Sequence, residues 1–116
     1  MQTIFHLSTC DTCKRILKDL EFPDRFKLQD IKKEPVTEAQ LEAMFRLTNS
    51  YEALFNKRAQ LYRQKELNTK ELTEFEYKNL LLEHYTFLKR PVIFDKDKIF
   101  IGNSKKNVEE LKAHLS

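Results

Sequence analysis

Cys10 and Cys13 are the only cysteines in the 116-residue chain, and they stand three positions apart in Cys10-Asp11-Thr12-Cys13-Lys14. A short apolar run, Thr3-Ile4-Phe5, precedes them, and His6 lies between that run and the pair. From Cys13 onward the apolar positions Cys13, Ile16, Leu17 and Leu20 recur at helical spacing. This predicts that Cys13 faces a core and that Cys10 sits before the first helical turn. A thiol in that position meets unpaired backbone N–H groups and the positive end of the helix dipole, both of which favour the thiolate. His6 and Lys14 can add positive charge. The same N–H groups can receive a tetrahedral oxyanion. The chemistry that follows is nucleophilic attack by Cys10, with Cys13 as a candidate resolving thiol, since thiols at i and i+3 can close a disulfide. Two buried structural cysteines are the alternative. A zinc site is not expected: it normally takes four ligands, there is no second CxxC, and His6, His84 and His114 are scattered along the chain.

Two arginines bear on the anion. Arg90 immediately precedes Pro91, so its backbone is held extended. The Arg90–Pro91 bond can be cis or trans. Arg58, in Asn56-Lys57-Arg58-Ala59, reads first as part of a solvated helix face with Lys57, Arg63 and Lys65. Arginine matches tetrahedral anions through its planar fork of donors. His84 reads as a helix-end histidine near the carbonyls of its own last turn, and His114 as a solvated one. Gly102, the single glycine, marks a positive φ or a close backbone approach.

These residues need elements to position them. Residues 2–6 read as a short first strand, followed by the helix of Cys13. Pro23 ends that unit, and Phe26-Lys27-Leu28-Gln29 is a second strand, which makes a βαβ unit with parallel strands. Thr37 with Gln40 and Thr73 with Glu76 are capping boxes. The first opens a helix carrying Leu41, Met44 and Phe45, and the second a helix with Tyr77, Leu80, Leu81 and His84 on one face. Between them residues 51–66 read as one or two short helices. Pro91-Val92-Ile93-Phe94 and Ile99-Phe100-Ile101 form a hairpin around the polar turn Asp95-Lys96-Asp97-Lys98. Ser104 caps a last helix with Val108, Leu111 and Leu115. The order is βαβ, a helical insert at about 37–84, then ββα, an α/β arrangement.

Composition bounds the rest. At 41% apolar and 34% charged residues, the chain reads as one globular domain, residues 1–116. The net charge of +3 is spread without a block of like charges, so direct nucleic-acid binding is not argued for. No apolar run nears the ~20 residues a membrane-spanning helix needs. No secretory signal opens the chain, and two cysteines in such a chain suggest a reducing, cytoplasmic compartment.

The segment Ile4-Phe5-His6-Leu7-Ser8-Thr9-Cys10-Asp11-Thr12-Cys13-Lys14 resembles the active-site segment of the glutaredoxin-coupled arsenate reductase family, which also contains the Spx transcription regulators. Leu88-Lys89-Arg90-Pro91-Val92-Ile93, with Leu82-Glu83-His84 before it, resembles the family's basic-Arg-Pro strand. Leu54-Phe55-Asn56-Lys57-Arg58 resembles its insert motif. The resemblance implies a thioredoxin-like fold, a four-stranded mixed sheet flanked by helices, with a cis proline at Pro91. It makes Cys10 the nucleophile and Arg58 and Arg90 the anion ligands, and it matches His6 to a histidine that helps keep the thiolate. It implies no bound cofactor, glutathione as co-substrate, an arsenate-like oxyanion or thiol substrate, and recycling by glutaredoxin or thioredoxin. Reductases carry a further arginine in the loop after the last strand. Here that loop reads Ile101-Gly102-Asn103-Ser104, and uncharged Asn103 is a weaker anion ligand. The CxxC resembles the Spx branch, whose members bind the C-terminal domain of the RNA polymerase α subunit and use the pair as a redox switch. His6 is reductase-like.

Overall fold

A computed structural model describes all of residues 1–116. The elements run β1 (Gln2–His6), α1 (Asp11–Asp19), β2 (Lys27–Asp30), α2 (Glu38–Thr48), α3 (Gln60–Gln64), α4 (Glu74–Glu83), β3 (Val92–Asp95), β4 (Lys98–Ile101) and α5 (Lys105–Leu115), with short 3-10 turns at Glu52–Leu54, Leu67–Thr69 and Tyr85–Phe87. They divide into two compact units, residues 1–34 with 90–116, and residues 35–89.

The first unit is a four-stranded sheet in the order β2-β1-β3-β4. β1 pairs with β2 in parallel, and with β3 antiparallel. β3 and β4 form an antiparallel hairpin. The sheet is therefore mixed, as the βαβ and ββα halves predict. Ile4 and Ile93 are register partners on neighbouring strands. They pack with Ile16 and Leu20 of α1, Phe26, and Leu111 of α5 in one apolar cluster. Burial of aliphatic side chains like these, at about 1.5–3 kcal/mol each, holds the two helices on the sheet.

Three local details differ from the sequence reading. β2 starts one residue later and includes Asp30. The hairpin turn is narrower than the four polar residues suggest, because Asp95 and Lys98 belong to the strands and pair with one another. Lys96 takes the left-handed conformation at φ 59° within the remaining two-residue turn. Asp95 is 6% exposed, which a polar-turn reading does not anticipate.

In the second unit both capping boxes form. Thr37 accepts the Gln40 N–H and Thr73 accepts the Glu76 N–H, and each Gln or Glu side chain reaches back to its cap. Each such cap contributes about 1 kcal/mol. Phe55 is the packing centre, edge-on to Tyr77 with ring centroids 5.0 Å apart and stacked on Phe87 at 4.9 Å. The Glu74 carboxylate accepts the backbone N–H groups of Tyr51 and Glu52. His84 is not the last residue of the α4 face. α4 ends at Glu83, and the His84 side chain caps the following turn, its Nδ1 accepting the Thr86 N–H at 3.2 Å.

Candidate active site

Antiparallel pairing of β1 with β3 sets Phe5 against Val92. The chain leaving β1 and the chain entering β3 therefore meet at one end of the two central strands. The first carries Cys10 and the second carries Arg90 and Pro91. Leu7 to Cys10 form a turn closed by the Cys10 N–H donating to the Leu7 carbonyl at 3.0 Å. Cys10 is then the N-cap of α1, with extended backbone at φ −96° and ψ 113°. Its carbonyl accepts the Lys14 N–H at 3.0 Å, the first bond of the helix. No side-chain capping bond from its sulfur meets ordinary hydrogen-bond geometry, while the Cys13 N–H at the third helical position faces the sulfur.

The two thiols are unbonded and unlike each other. Cys10 is partly exposed and Cys13 is 1% exposed on the core face of α1. Burial pushes the Cys10 thiol up, but the Cys13 backbone N–H, the Cys13 thiol and the Arg90 guanidinium outweigh it and hold Cys10 below the ordinary thiol range. Cys13 is pushed up to about 11, first by burial; the Leu7 N–H opposes this and the neighbouring Cys10 adds to it. Cys10 is thus the thiol that ionises, and Cys13 donates to it.

The structure places the other candidates as follows. Arg90 is half-buried with its Nε inside, and its charge acts on both sulfurs. The Arg90–Pro91 peptide is cis. The Pro91 carbonyl accepts the Gly102 N–H at 2.9 Å, a close approach at which Gly102 has φ 88°. Asn103 follows on an exposed bend, and the preceding carbonyl, that of Gly102, is fixed by Asn107 Nδ2 at 2.8 Å. Lys14 is exposed on α1. His6 ends β1 beside its register partner Asp30. Arg58 belongs to the second unit, where it is exposed and its N–H donates to Asn56 Oδ1 at 3.0 Å. No three His, Cys, Asp or Glu side chains gather where they could hold a metal ion. No helix is long and apolar enough to cross a membrane.

Asp30 is a residue the sequence reading passed over. Its carboxylate accepts the Ser8 N–H at 3.4 Å and the Lys32 N–H at 3.2 Å. Extending the β1–β2 register to the last residue of β1 would have placed an acid beside His6, at the turn that leads to Cys10.

At the opposite end of β3, Asp95 accepts hydrogen bonds from Gln2 Nε2 at 2.8 Å, Arg25 at 3.1 Å and His114 Nε2 at 2.8 Å. His114 is therefore bonded to a buried carboxylate, not solvated. Because an ionised carboxylate only accepts, Nε2 carries the proton. Burial raises the Asp95 pKa, but these three partners hold it down at about 2.

Comparison with known proteins bears on the family and the fold. Residues 5–111 match the model of the ArsC family. The global transcriptional regulator Spx of Streptococcus mutans is 26% identical over 117 residues, covering 99% of this chain and 83% of that protein. The solution structure of a Staphylococcus aureus protein matches with 27% identity and a TM-score of 0.76, over 95% of this chain and 97% of that one. An arsenate reductase from Vibrio cholerae shares the fold at 14% identity, with a TM-score of 0.76 over 99% of this chain and 97% of that one. The protein belongs to the ArsC family, the thioredoxin-like group that spans arsenate reductases and Spx regulators.

Proposed function

We propose that the protein is an arsenate reductase-like thiol oxidoreductase working in a reducing cytoplasm. The observation that carries this reading is the partly exposed Cys10 thiol, held below the ordinary range with Arg90 acting on it. The Cys10 thiolate attacks the arsenic of an arsenate-like oxyanion and displaces one oxygen as water, giving a thiol-arsenate adduct. Arg90 offsets the anion's charge. Glutathione attacks the adduct; the electron pair goes to arsenic, which leaves as arsenite, and Cys10 is left in a mixed disulfide. Glutaredoxin, or thioredoxin in its place, returns Cys10 to the thiol. His6 and Lys14 favour the thiolate electrostatically, and the family resemblance adds Arg58 as a second anion ligand.

Asn103 stands where the reductases carry a further arginine, so arsenate turnover is expected to be weak, or the physiological substrate to be another one, such as a glutathionylated protein. The test is arsenate reduction with glutathione and glutaredoxin supplied. Turnover lost in Cys10→Ser supports the reading, and a Cys10→Ser variant of full activity refutes the nucleophile assignment.

A second reading has its own support. The Cys10/Cys13 pair and the similarity to Spx favour a redox-sensing regulator that binds the C-terminal domain of the RNA polymerase α subunit. Pull-down with that domain, in reduced and oxidised protein, separates the two readings. Binding that changes with redox state, without arsenate turnover, selects the regulator.

A further inference from the structure

Four residues separate the end of β1 from α1, and their path decides where both sulfurs sit. The Leu7–Cys10 turn closes on its own backbone bond. It presents the Leu7 N–H to the Cys13 sulfur and leaves Cys10 facing the Cys13 N–H. A loop this short, with a single internal bond, has considerable freedom unless something outside it holds it. Asp30 stands at the end of β2 in the adjacent position. The β1–β2 ladder continues into the Ile31 N–H bond to the His6 carbonyl at 2.9 Å, so the Asp30 backbone is fixed relative to β1. Its Oδ1 grips the Ser8 N–H on one side and the Lys32 N–H of its own turn on the other.

We propose that Asp30 is the positioning residue of the thiol site: its carboxylate pins the turn through Ser8 and so fixes Cys10 at the head of α1. The inference rests on Cys10 being the reactive thiol of the function proposed above. Asp30 does not touch the substrate; it acts through the turn. The carboxyl is held below its ordinary range, first by the Ser8 hydroxyl, with burial opposing and the Lys32 and Ser8 N–H groups assisting, so it is ionised and accepting near neutrality.

The sign of the effect separates positioning from charge. Removing a negative charge near a thiol, by itself, makes the thiolate easier to form and lowers the thiol pKa. Loosening the turn does the opposite, because the thiolate loses its oriented N–H partners. The experiment is iodoacetamide alkylation of the reduced protein across pH, with modification at Cys10 read by peptide mass spectrometry, for wild type, Asp30→Ala, Asp30→Asn and Ser8→Ala. No arsenate or glutathione is present, so the result is independent of the substrate assignment. Asp30→Ala is expected to raise the Cys10 midpoint by about half to one pH unit, a loss of roughly 3- to 10-fold in thiolate at neutral pH. Asp30→Asn keeps an oxygen acceptor but loses the charge, so its midpoint is expected at or slightly below that of wild type. Ser8→Ala removes only the hydroxyl and is expected to shift the midpoint the same way by less.

A midpoint unchanged in Asp30→Ala, or lowered in both Asp30 variants, overturns the proposal. Where Asp30→Ala does not fold, Ser8→Ala decides, and a wild-type midpoint there is the contrary result. A wild-type Cys10 that itself titrates in the ordinary range contradicts the thiol reading, not only the role of Asp30.

Discussion

The two ends of β3 carry the same ingredients, an arginine and a titratable side chain, and use them in opposite ways. At the far end three donors from different parts of the chain converge on the carboxylate of Asp95, which is 6% exposed. That carboxylate is satisfied, with little left to offer a ligand. At the near end Arg90 acts on Cys10, a side chain that keeps a face to solvent. Saturated hydrogen bonding favours stability, whereas a charge directed at a half-open nucleophile favours reactivity. One strand thus joins a closed end to an open end.

Substitutions at the open end are expected to change chemistry with little change in stability, and those at the closed end the reverse. The largest effect belongs to Cys10→Ser, which should lower turnover by roughly a thousandfold or more while leaving the thermal midpoint within a few degrees. Coupled arsenate reduction and calorimetry check both halves. Arg90→Ala comes next. It should raise the Cys10 midpoint and reduce turnover by about a hundredfold, the usual scale for losing one anion-stabilising donor. Steady-state kinetics with alkylation titration reads this.

Asp95→Ala crosses to the closed end. It strands Gln2, Arg25 and His114 and should cost about 2–3 kcal/mol by denaturant titration. The Cys10 midpoint should not move. A shift there would show that the two ends are not independent. The pH dependence has a definite sign. The Asp95 pKa is about 2 in the folded protein and ~3.9 when unfolded, so its contribution is complete above pH ~4 and is lost as pH falls through about 2. Asp95→Asn should flatten that part of the acid-stability curve. The smallest effect is expected from Cys13→Ser, which keeps a donor of similar size. The Cys10 midpoint should shift by less than about one unit, and turnover should survive if an external thiol resolves the adduct. Loss of turnover instead would assign resolution to Cys13.

Much of this was legible in the sequence because the signals are local. Both capping boxes, the Ser104 cap and the inward position of Cys13 depend on neighbours within one helical turn, and all of them form. The closed end was not legible. Gln2 and Asp95 are 93 positions apart, and Arg25 and Asp95 are 70 apart, so no window of sequence displays their meeting. From their immediate neighbours alone, Asp95 reads as part of a polar turn and His114 as solvated. The site falls between these cases. Cys10 was visible from its place before an amphipathic helix. Arg90 could be singled out by the proline after it, but only the β1–β3 pairing brings it to Cys10. Asp30 was missed because its partner, Ser8, lies 22 positions away across a parallel pair of strands.

The central claim is that Cys10 is an activated thiol because Arg90 and the head of α1 hold its negative charge. The direct measurement is the pH midpoint of Cys10 alkylation in wild type and Arg90→Ala. The account predicts a wild-type midpoint below the ~8.5 of a free cysteine, moving upward when the guanidinium is removed. A wild-type midpoint at or above that value, or one indifferent to Arg90, would contradict it.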